Sequence, residues 1–186
     1  MQTIFIAGSI AIKNLNPVFI ERIDKIVTSD ELSIIVGDAN GSDTSIQAAL
    51  LDLGARNVII YCSGDEPRNN VGDWPVSRIA TTEKPGSRAF FTAKDREMAF
   101  AADYGLMVWD SKSTGTLSNV IELLKQDKRS VVFINKLKKF TTVGSVEDLV
   151  DLIGVMSSSA LSKAETKIHL SEKISEIKTP QMQMAF

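Results

Sequence analysis

Residues 32–50 read LSIIVGDANGSDTSIQAAL, and this stretch decides the fold class. Its first five residues, LSIIV, are apolar except for Ser33, which is typical of a strand buried on both faces. A loop rich in glycine and aspartate follows, and apolar residues then return at helical spacing in Ile46, Ala49 and Leu50. The stretch therefore predicts a strand, a loop and a helix, which is the repeating unit of an α/β protein.

The same unit recurs along the chain. Further apolar runs lie at residues 3–7, 57–61, 106–109 and 130–134, with helical spacing between them. Asn16 before Pro17 is typical of a helix start, and Thr92 is expected to cap the third helix. We expect an α/β fold with right-handed crossovers, a three-layer Rossmann-like parallel sheet of about five strands flanked by helices.

The pattern changes after residue 140. We predict a Rossmann-like nucleotide-binding domain at 1–140 and a helical C-terminal extension at 141–186. Ser145 is expected to cap one helix, and a second amphipathic segment spans about 160–177. Its apolar stripe would pack on the core or, alternatively, on a second subunit, which makes a homo-oligomer an open expectation. The last residues, 179–186, read as a frayed tail.

Composition limits the classes of partner. The chain has 21 Lys and Arg against 23 Asp and Glu, and its formal charge is −2. This balance predicts no general attraction to nucleic acid or to a membrane, so nucleic acid is expected to be an unlikely partner. One cysteine, Cys62, and one histidine, His169, exclude an internal disulfide and a Cys/His zinc site. No metal or cofactor is predicted, and without a leader or membrane-spanning pattern a cytoplasmic location is expected.

Ligands of such sheets bind beyond the carboxyl ends of the strands, so the loops there are the candidate sites. Gly8 and Ser9 follow the first strand, and residues 37–43, GDANGSD, follow the second. The glycines and the free amides of the next helix suit a phosphate. The two aspartates could instead cap the helix and hold the turn, so the structural and ligand-binding interpretations both remain open.

The loop after the fourth strand is the stronger phosphate-binding candidate. It begins at Asp110 and continues as SKSTGT at residues 111–116, where hydroxyls, a lysine and a glycine precede a helix. Ordinary capping by Ser113 or Thr114 is the plainer alternative. Neither candidate loop is a Walker motif and the first lacks GxGxxG, which disfavours a P-loop NTPase and a conventional dinucleotide fold. Arg88 is the preferred anion clamp, and the long connection 62–91 is expected to act as a lid.

Together these loops resemble the SLOG superfamily of Rossmann-like proteins, which includes the YspA/YpsA-like families, the LOG-type phosphoribohydrolases and DNA-processing protein A. The match covers about residues 1–135 and rests on Gly8-Ser9, on VGDANGSDTSIQAAL, on AKDREMAFAADYGLMVWD and on SKSTGTLSNVIELL. The resemblance implies a site for a nucleotide or a related phosphorylated ribose. It does not by itself imply catalysis.

The resemblance also shows which residues of a LOG-type catalytic site this chain lacks. The catalytic glutamate position falls on Asn119, and Lys94 with Asp95 takes the place of an Arg-Lys pair. An amide cannot stabilise the oxocarbenium character of a breaking ribosyl bond, so Asp110, Asp43 or Glu122 would have to supply a displaced carboxylate. Asp110 and Glu122 are the candidate catalytic residues.

The sequence thus predicts the binding or sensing of a nucleotide-like small molecule. The alternatives are an N-glycoside hydrolase or ribosyl transferase and, last, a nucleic-acid-binding protein. The predicted ligand-binding residues are Gly8, Ser9, Gly37, Asp38, Asn40, Gly41, Asp43, Arg88, Lys94, Asp110, Ser113, Gly115, Thr116 and Asn119.

Overall fold

The computed structural model describes residues 1–29 and 31–178, which contain seven strands and seven helices in the order β-α-β-α-β-β-α-β-α-β-β-α-α-α. The strands are β1 Gln2–Gly8, β2 Leu32–Gly37, β3 Val58–Ser63, β4 Val76–Ile79, β5 Tyr104–Trp109, β6 Ser130–Ile134 and β7 Lys139–Val143. The helices are α1 Pro17–Val27, α2 Ser42–Asp52, α3 Arg88–Ala101, α4 Thr114–Leu124, α5 Val146–Ile153, α6 Ser158–Ile168 and α7 Leu170–Lys178. The tail predicted at 179–186 lies outside the described residues.

The strands form one sheet in the order β4-β3-β2-β1-β5-β6-β7. All neighbours are parallel except β6 and β7, which run antiparallel. The chain moves outward from β1 to β4 and then crosses back through α3 to β5, so the strand order switches between β1 and β5. The ends of these two strands are the place where such sheets hold their ligands.

The predicted fold class is confirmed, but the strand count of about five is too low. The two additional strands are the edge strands β4 and β7, whose residues are mostly half-buried or exposed. Neither has the continuous apolar run that marks a strand covered on both faces, and this is why the sequence pattern missed them.

Three of the four predicted helix starts hold. The side chains of Asn16, Ser113 and Ser145 each accept a hydrogen bond from a backbone amide in the first turn of the following helix. Thr92 was expected to cap α3, and this is wrong. The helix begins one turn earlier, where the Ser87 hydroxyl accepts from the amide of Phe90, while Thr92 lies inside the helix and donates to the Ala89 carbonyl.

The core has two clusters, one on each face of the sheet. The first, beneath α1 and α2, includes Phe19, Ile23, Ile46 and Leu50. The second, on the opposite face, is formed by these buried residues of α3, α4 and the C-terminal helices, among others: Met98, Val120, Ile121, Leu149, Leu152, Ala164 and Ile168. The expectation that the C-terminal helices pack on the core is therefore confirmed. The division at residue 140 stays a prediction.

The amphipathic segment 160–177 is not one helix. His169 adopts a left-handed conformation with φ 51° and ends α6, and α7 begins at the next residue. Ile168 and Leu170, on either side of this corner, are both buried. Within the described residues, no helix is long and apolar enough to span a membrane.

The shared core predicts that the C-terminal helices unfold together with the sheet. Leu149 of α5 is fully buried, so Leu149→Ala should remove about 2–5 kcal/mol from the free energy of unfolding in urea. Val150→Ala is the matched control on the same helix, because Val150 is 48% exposed and its loss should cost about 0.5 kcal/mol or less. A separate early transition in the Leu149→Ala variant would contradict the shared core.

Candidate functional site

A hollow of about 640 Å³ opens at the carboxyl ends of β1 and β5. Its wall includes the turn after β1, the loop from Asp110 into α4, one face of α3, and two lysines of α6. Of the predicted site residues, these line it: Gly8, Asp43, Arg88, Lys94, Asp110, Ser113, Gly115, Thr116 and Asn119. The others do not belong to the lining: Ser9, Gly37, Asp38, Asn40, Gly41 and the proposed catalytic Glu122.

A buried cluster of charges centred on Lys94 forms part of the lining of this hollow. The Lys94 ammonium is 2.7 Å from Asp95 Oδ1 and 4.0 Å from both Asp38 Oδ1 and Asp43 Oδ2, and its side chain is only 4% exposed. Burial by itself would lower the pKa of Lys94, but the surrounding carboxylates outweigh it and hold the pKa above the ordinary value. The ammonium therefore stays charged inside the protein.

The carboxylates of this cluster respond differently to burial. Burial raises the pKa of Asp43 to about 6 despite the opposing charge of Lys94. Burial also acts to raise the pKa of Asp38, but hydrogen bonds from Arg68 and the charge of Lys94 hold it below its usual value. Arg68 binds Asp38 through Nη2 at 2.7 Å and Nε at 3.0 Å, which is the forked geometry of a strong guanidinium pair.

The glycines of the loop at 37–43 serve this internal structure. A Cβ on Gly37 would lie 2.4 Å from Asp43 Oδ2 and 2.7 Å from Lys94 Nζ, so only a residue without a side chain leaves room for the ion pair. Gly41 has φ 88°, and a Cβ there would meet the Ile10 carbonyl oxygen at 2.2 Å. The loop is thus packed against its neighbours, and Asp43 is its only predicted residue in the hollow's lining.

The loop after β5 is held by Asp110 and leads directly to the hollow. Asp110 Oδ1 accepts hydrogen bonds from the Ser9 hydroxyl at 3.1 Å and from the amides of Lys112 and Ser113 at 2.9 and 2.7 Å. Ser113 caps α4, which confirms the capping interpretation. A Cβ on Gly115 would have no neighbour nearer than Ser113 Oγ at 3.8 Å, so the space in front of this glycine is open.

Several lining residues were missed by sequence reasoning. Lys163 and Lys167 of α6 face the hollow, although their spacing of four residues opposite an apolar stripe is typical of a solvated helix face. Phe91 also lines it, and the Arg68 guanidinium lies 4.2 Å from the centre of the Phe91 ring. The two lysines reach the site because α6 packs beside α4, and the sequence pattern did not indicate this packing.

The long connection 62–91, expected to be a lid, is anchored along its middle. Arg68 binds Asp38, Asn69 donates to the Asp38 carbonyl, and the amide of Val71 donates to Gln47 of α2. The connection also contains β4, which pairs with β3. These contacts fix the segment that carries Arg68 against the edge of the sheet.

Removing the central ammonium should be costly. Lys94→Met leaves buried carboxylates without their counter-charge, and we expect the free energy of unfolding at pH 7 to fall by about 3–5 kcal/mol. Adding Asp43→Asn should restore part of the loss, because one of the unpaired charges is then gone. Lys25→Met, at an exposed site on α1, is the control and should change stability by about 0.5 kcal/mol or less.

Asp43→Asn alone, in the protein that keeps Lys94, tests the pKa of Asp43. Its folded-state pKa of about 6 lies above the ordinary value of 3.8, so the folded chain holds a proton that the unfolded chain releases. The contribution of Asp43 to stability therefore falls as the pH rises from 3.8 to about 6. Urea unfolding across this window should show a shallower decline in the Asp43→Asn protein, and an unchanged slope would contradict the raised pKa.

No family model matches the chain, and no curated protein matches it in sequence. Solved structures do match. DNA processing protein A from Helicobacter pylori, described for its unique mode of binding single-stranded DNA, has a TM-score of 0.57 and 18% identity over 92% of this chain and 81% of that one. DNA processing protein A from Streptococcus pneumoniae has a TM-score of 0.55 and 19% identity over 87% of this chain and 61% of that one.

This likeness corrects one prediction and confirms another. The expectation that nucleic acid is an unlikely partner is wrong, because the fold is shared with a protein that binds single-stranded DNA. That expectation rested on the net charge of −2, which is a sum over the whole chain and gives no information about where the cations lie. The resemblance drawn from the loops is confirmed at the level of the fold: the chain shares the Rossmann-like fold of DNA processing protein A.

Proposed function

We propose that this protein binds single-stranded nucleic acid and holds one nucleotide of the strand in the hollow at the carboxyl edge. The observation that carries the proposal is the convergence there of four cationic side chains from three separate segments: Arg88, Lys112, Lys163 and Lys167. The fold shared with a protein that binds single-stranded DNA supports it.

These four cations can meet a phosphate because the nearby acids are already engaged. The Lys94 ammonium lies 2.7 Å from Asp95 Oδ1 and 4.0 Å from Asp43 Oδ2, and Asp110 accepts hydrogen bonds from its own loop. Within residues 1–29 and 31–178, no ion pair involves any of the four cations. Arg88 Nη2 lies 3.3 Å from Thr114 Oγ1, at the first residue of α4, so its guanidinium sits beside the positive end of that helix.

The hollow also offers apolar surface for a base. Phe91 of α3 lines one part of it, and Ile10, which is 67% exposed, lies at the turn after β1. Stacking on aromatic and apolar side chains is how proteins hold the bases of single strands without reading their sequence. Bases in a duplex are paired and stacked inside, so this surface favours a single strand.

A free nucleotide is the second candidate, and the dimensions of the hollow favour it. A volume of about 640 Å³ falls within the roughly 300–1,000 Å³ of ordinary small-molecule sites. The same cations and the same apolar surface would then bind a nucleoside phosphate or a related phosphorylated ribose. The two candidates differ in whether a strand adds affinity beyond one nucleotide.

Fluorescence anisotropy with a labelled 15-residue thymidine oligonucleotide tests the proposal. We expect binding that weakens as salt is raised, competition by an unlabelled single strand, and little competition by a duplex of equal length. Thymidine monophosphate and ADP-ribose added as competitors separate the candidates. If either compound displaces the labelled strand at the same concentration as the unlabelled oligonucleotide does, the small-molecule site is favoured. If the labelled strand does not bind even at low salt, the proposal is overturned.

The cations of the hollow should account for this affinity. Arg88→Ala, and separately the double variant Lys163→Gln and Lys167→Gln, should weaken oligonucleotide binding by about tenfold or more, because each removes phosphate contacts. The double variant should also make the salt dependence weaker: the negative slope of log affinity against log salt should become less steep by about 0.7 for each lost phosphate contact. Lys25→Gln with Lys139→Gln is the matched control, since it removes equal charge from α1 and β7, outside the hollow.

Gly115 allows binding and stability to be separated. The space around its Cβ position is open, so Gly115→Ala should leave the free energy of unfolding unchanged or raise it by up to about 1 kcal/mol through helix propensity. The added methyl group would stand where a phosphate approaches the start of α4, so oligonucleotide affinity should fall several-fold. A variant that is as stable as the wild type and binds equally well would remove Gly115 from the site.

A further inference from the structure

A second hollow adjoins the first on the side of α6 and α7. Its volume is about 330 Å³, and the two hollows share six lining residues, among them Arg88, Gly115 and Lys167. We call these six shared residues the saddle, because they border both spaces. A strand that fills the first hollow and extends past the saddle meets the second hollow next.

The second hollow brings its own basic side chains. Arg96 of α3, His169 at the α6–α7 corner and Lys173 of α7 line it, and none of the three lines the first hollow. Its acids are Asp95 and Glu122. Asp95 is balanced by the Lys94 ammonium at 2.7 Å, so the cations Arg96, Lys167 and Lys173 outnumber the one acid that has no such partner among the described residues.

The corner that carries these residues is held in place. Glu165 accepts hydrogen bonds from the Ser171 amide at 3.0 Å and from its hydroxyl at 2.8 Å, which ties the start of α7 to α6. Glu176 pairs with Lys125 at the end of α4 at 2.5 Å. Lys173 lies three residues before Glu176, on the same face of α7, and lines the second hollow.

We infer that the second hollow receives the next nucleotide of the bound strand, with its phosphate against Lys173 and Arg96. The inference rests on the proposed function and deepens it: the protein holds two consecutive nucleotides, one on each side of the saddle. The recognition element is the phosphodiester link that crosses the saddle beside Arg88 and Lys167, which belong to both hollows. The unit bound is then a dinucleotide step rather than a mononucleotide.

Calorimetry with short ligands tests this inference. We expect pTpT to bind at least about tenfold tighter than thymidine monophosphate, because the second nucleotide is already tethered beside its hollow. Thymidine diphosphate is the control ligand, since it adds a phosphate without a second nucleoside and should gain much less. Lys173→Gln and, separately, Arg96→Gln should reduce the advantage of pTpT several-fold while monophosphate affinity is unchanged.

Lys178→Gln is the matched control variant, because Lys178 belongs to α7 but lines neither hollow. Equal affinities for pTpT and the monophosphate, or an advantage of pTpT that survives both substitutions, would overturn the inference and leave the proposed function intact. Failure of pTpT, the monophosphate and the longer oligonucleotide alike to bind would instead overturn the proposed function.

Discussion

The buried ammonium of Lys94 is the interaction on which the carboxyl edge of this protein depends. It pairs with Asp95 of α3 itself, and it joins that helix to the loop after β2 through Asp38 and to the start of α2 through Asp43. Breaking such a group leaves uncompensated charge in the interior, so its members constrain one another strongly. The cluster helps to hold α3 in place, and α3 carries Arg88 and Phe91 to the hollow.

The cluster also explains how a chain with a net charge of −2 can present a cationic site. The acids near the hollow bind to Lys94, to Arg68 or to backbone amides, while lysines of α6 and of the loop after β5 stay unengaged at the rim. Charges act over about 10 Å at moderate salt, so a phosphate at the edge responds to these neighbours and not to the chain as a whole. Local arrangement, rather than composition, decides what this edge attracts.

The sequence was informative where one physical requirement dominates a segment. Continuous apolar runs predicted the central strands, and the parallel sheet made the loops at its carboxyl edge the candidate sites. Gly8 and Gly115 of these loops do line one hollow, whereas Gly41 does not. It was less informative where the role of a residue depends on a distant partner. For Gly37 the sequence left ligand binding and a structural role both open, and in the structure this glycine makes room for Lys94 and Asp43, which lie 57 and 6 positions away along the chain. The lysines of α6 were not predicted as site residues, because they reach the site only through tertiary packing.

The central claim is that the hollow at the carboxyl edge is where a nucleotide of a single strand binds. The most direct measurement is the map of amide shifts in a ¹H–¹⁵N NMR spectrum as a hexameric thymidine oligonucleotide is added. The account predicts that the largest changes fall on the amides after β1 and β5 and on α6, at Gly8, Gly115 and Lys163. Changes confined to the edge strands β4 and β7, with these amides unmoved, would contradict it.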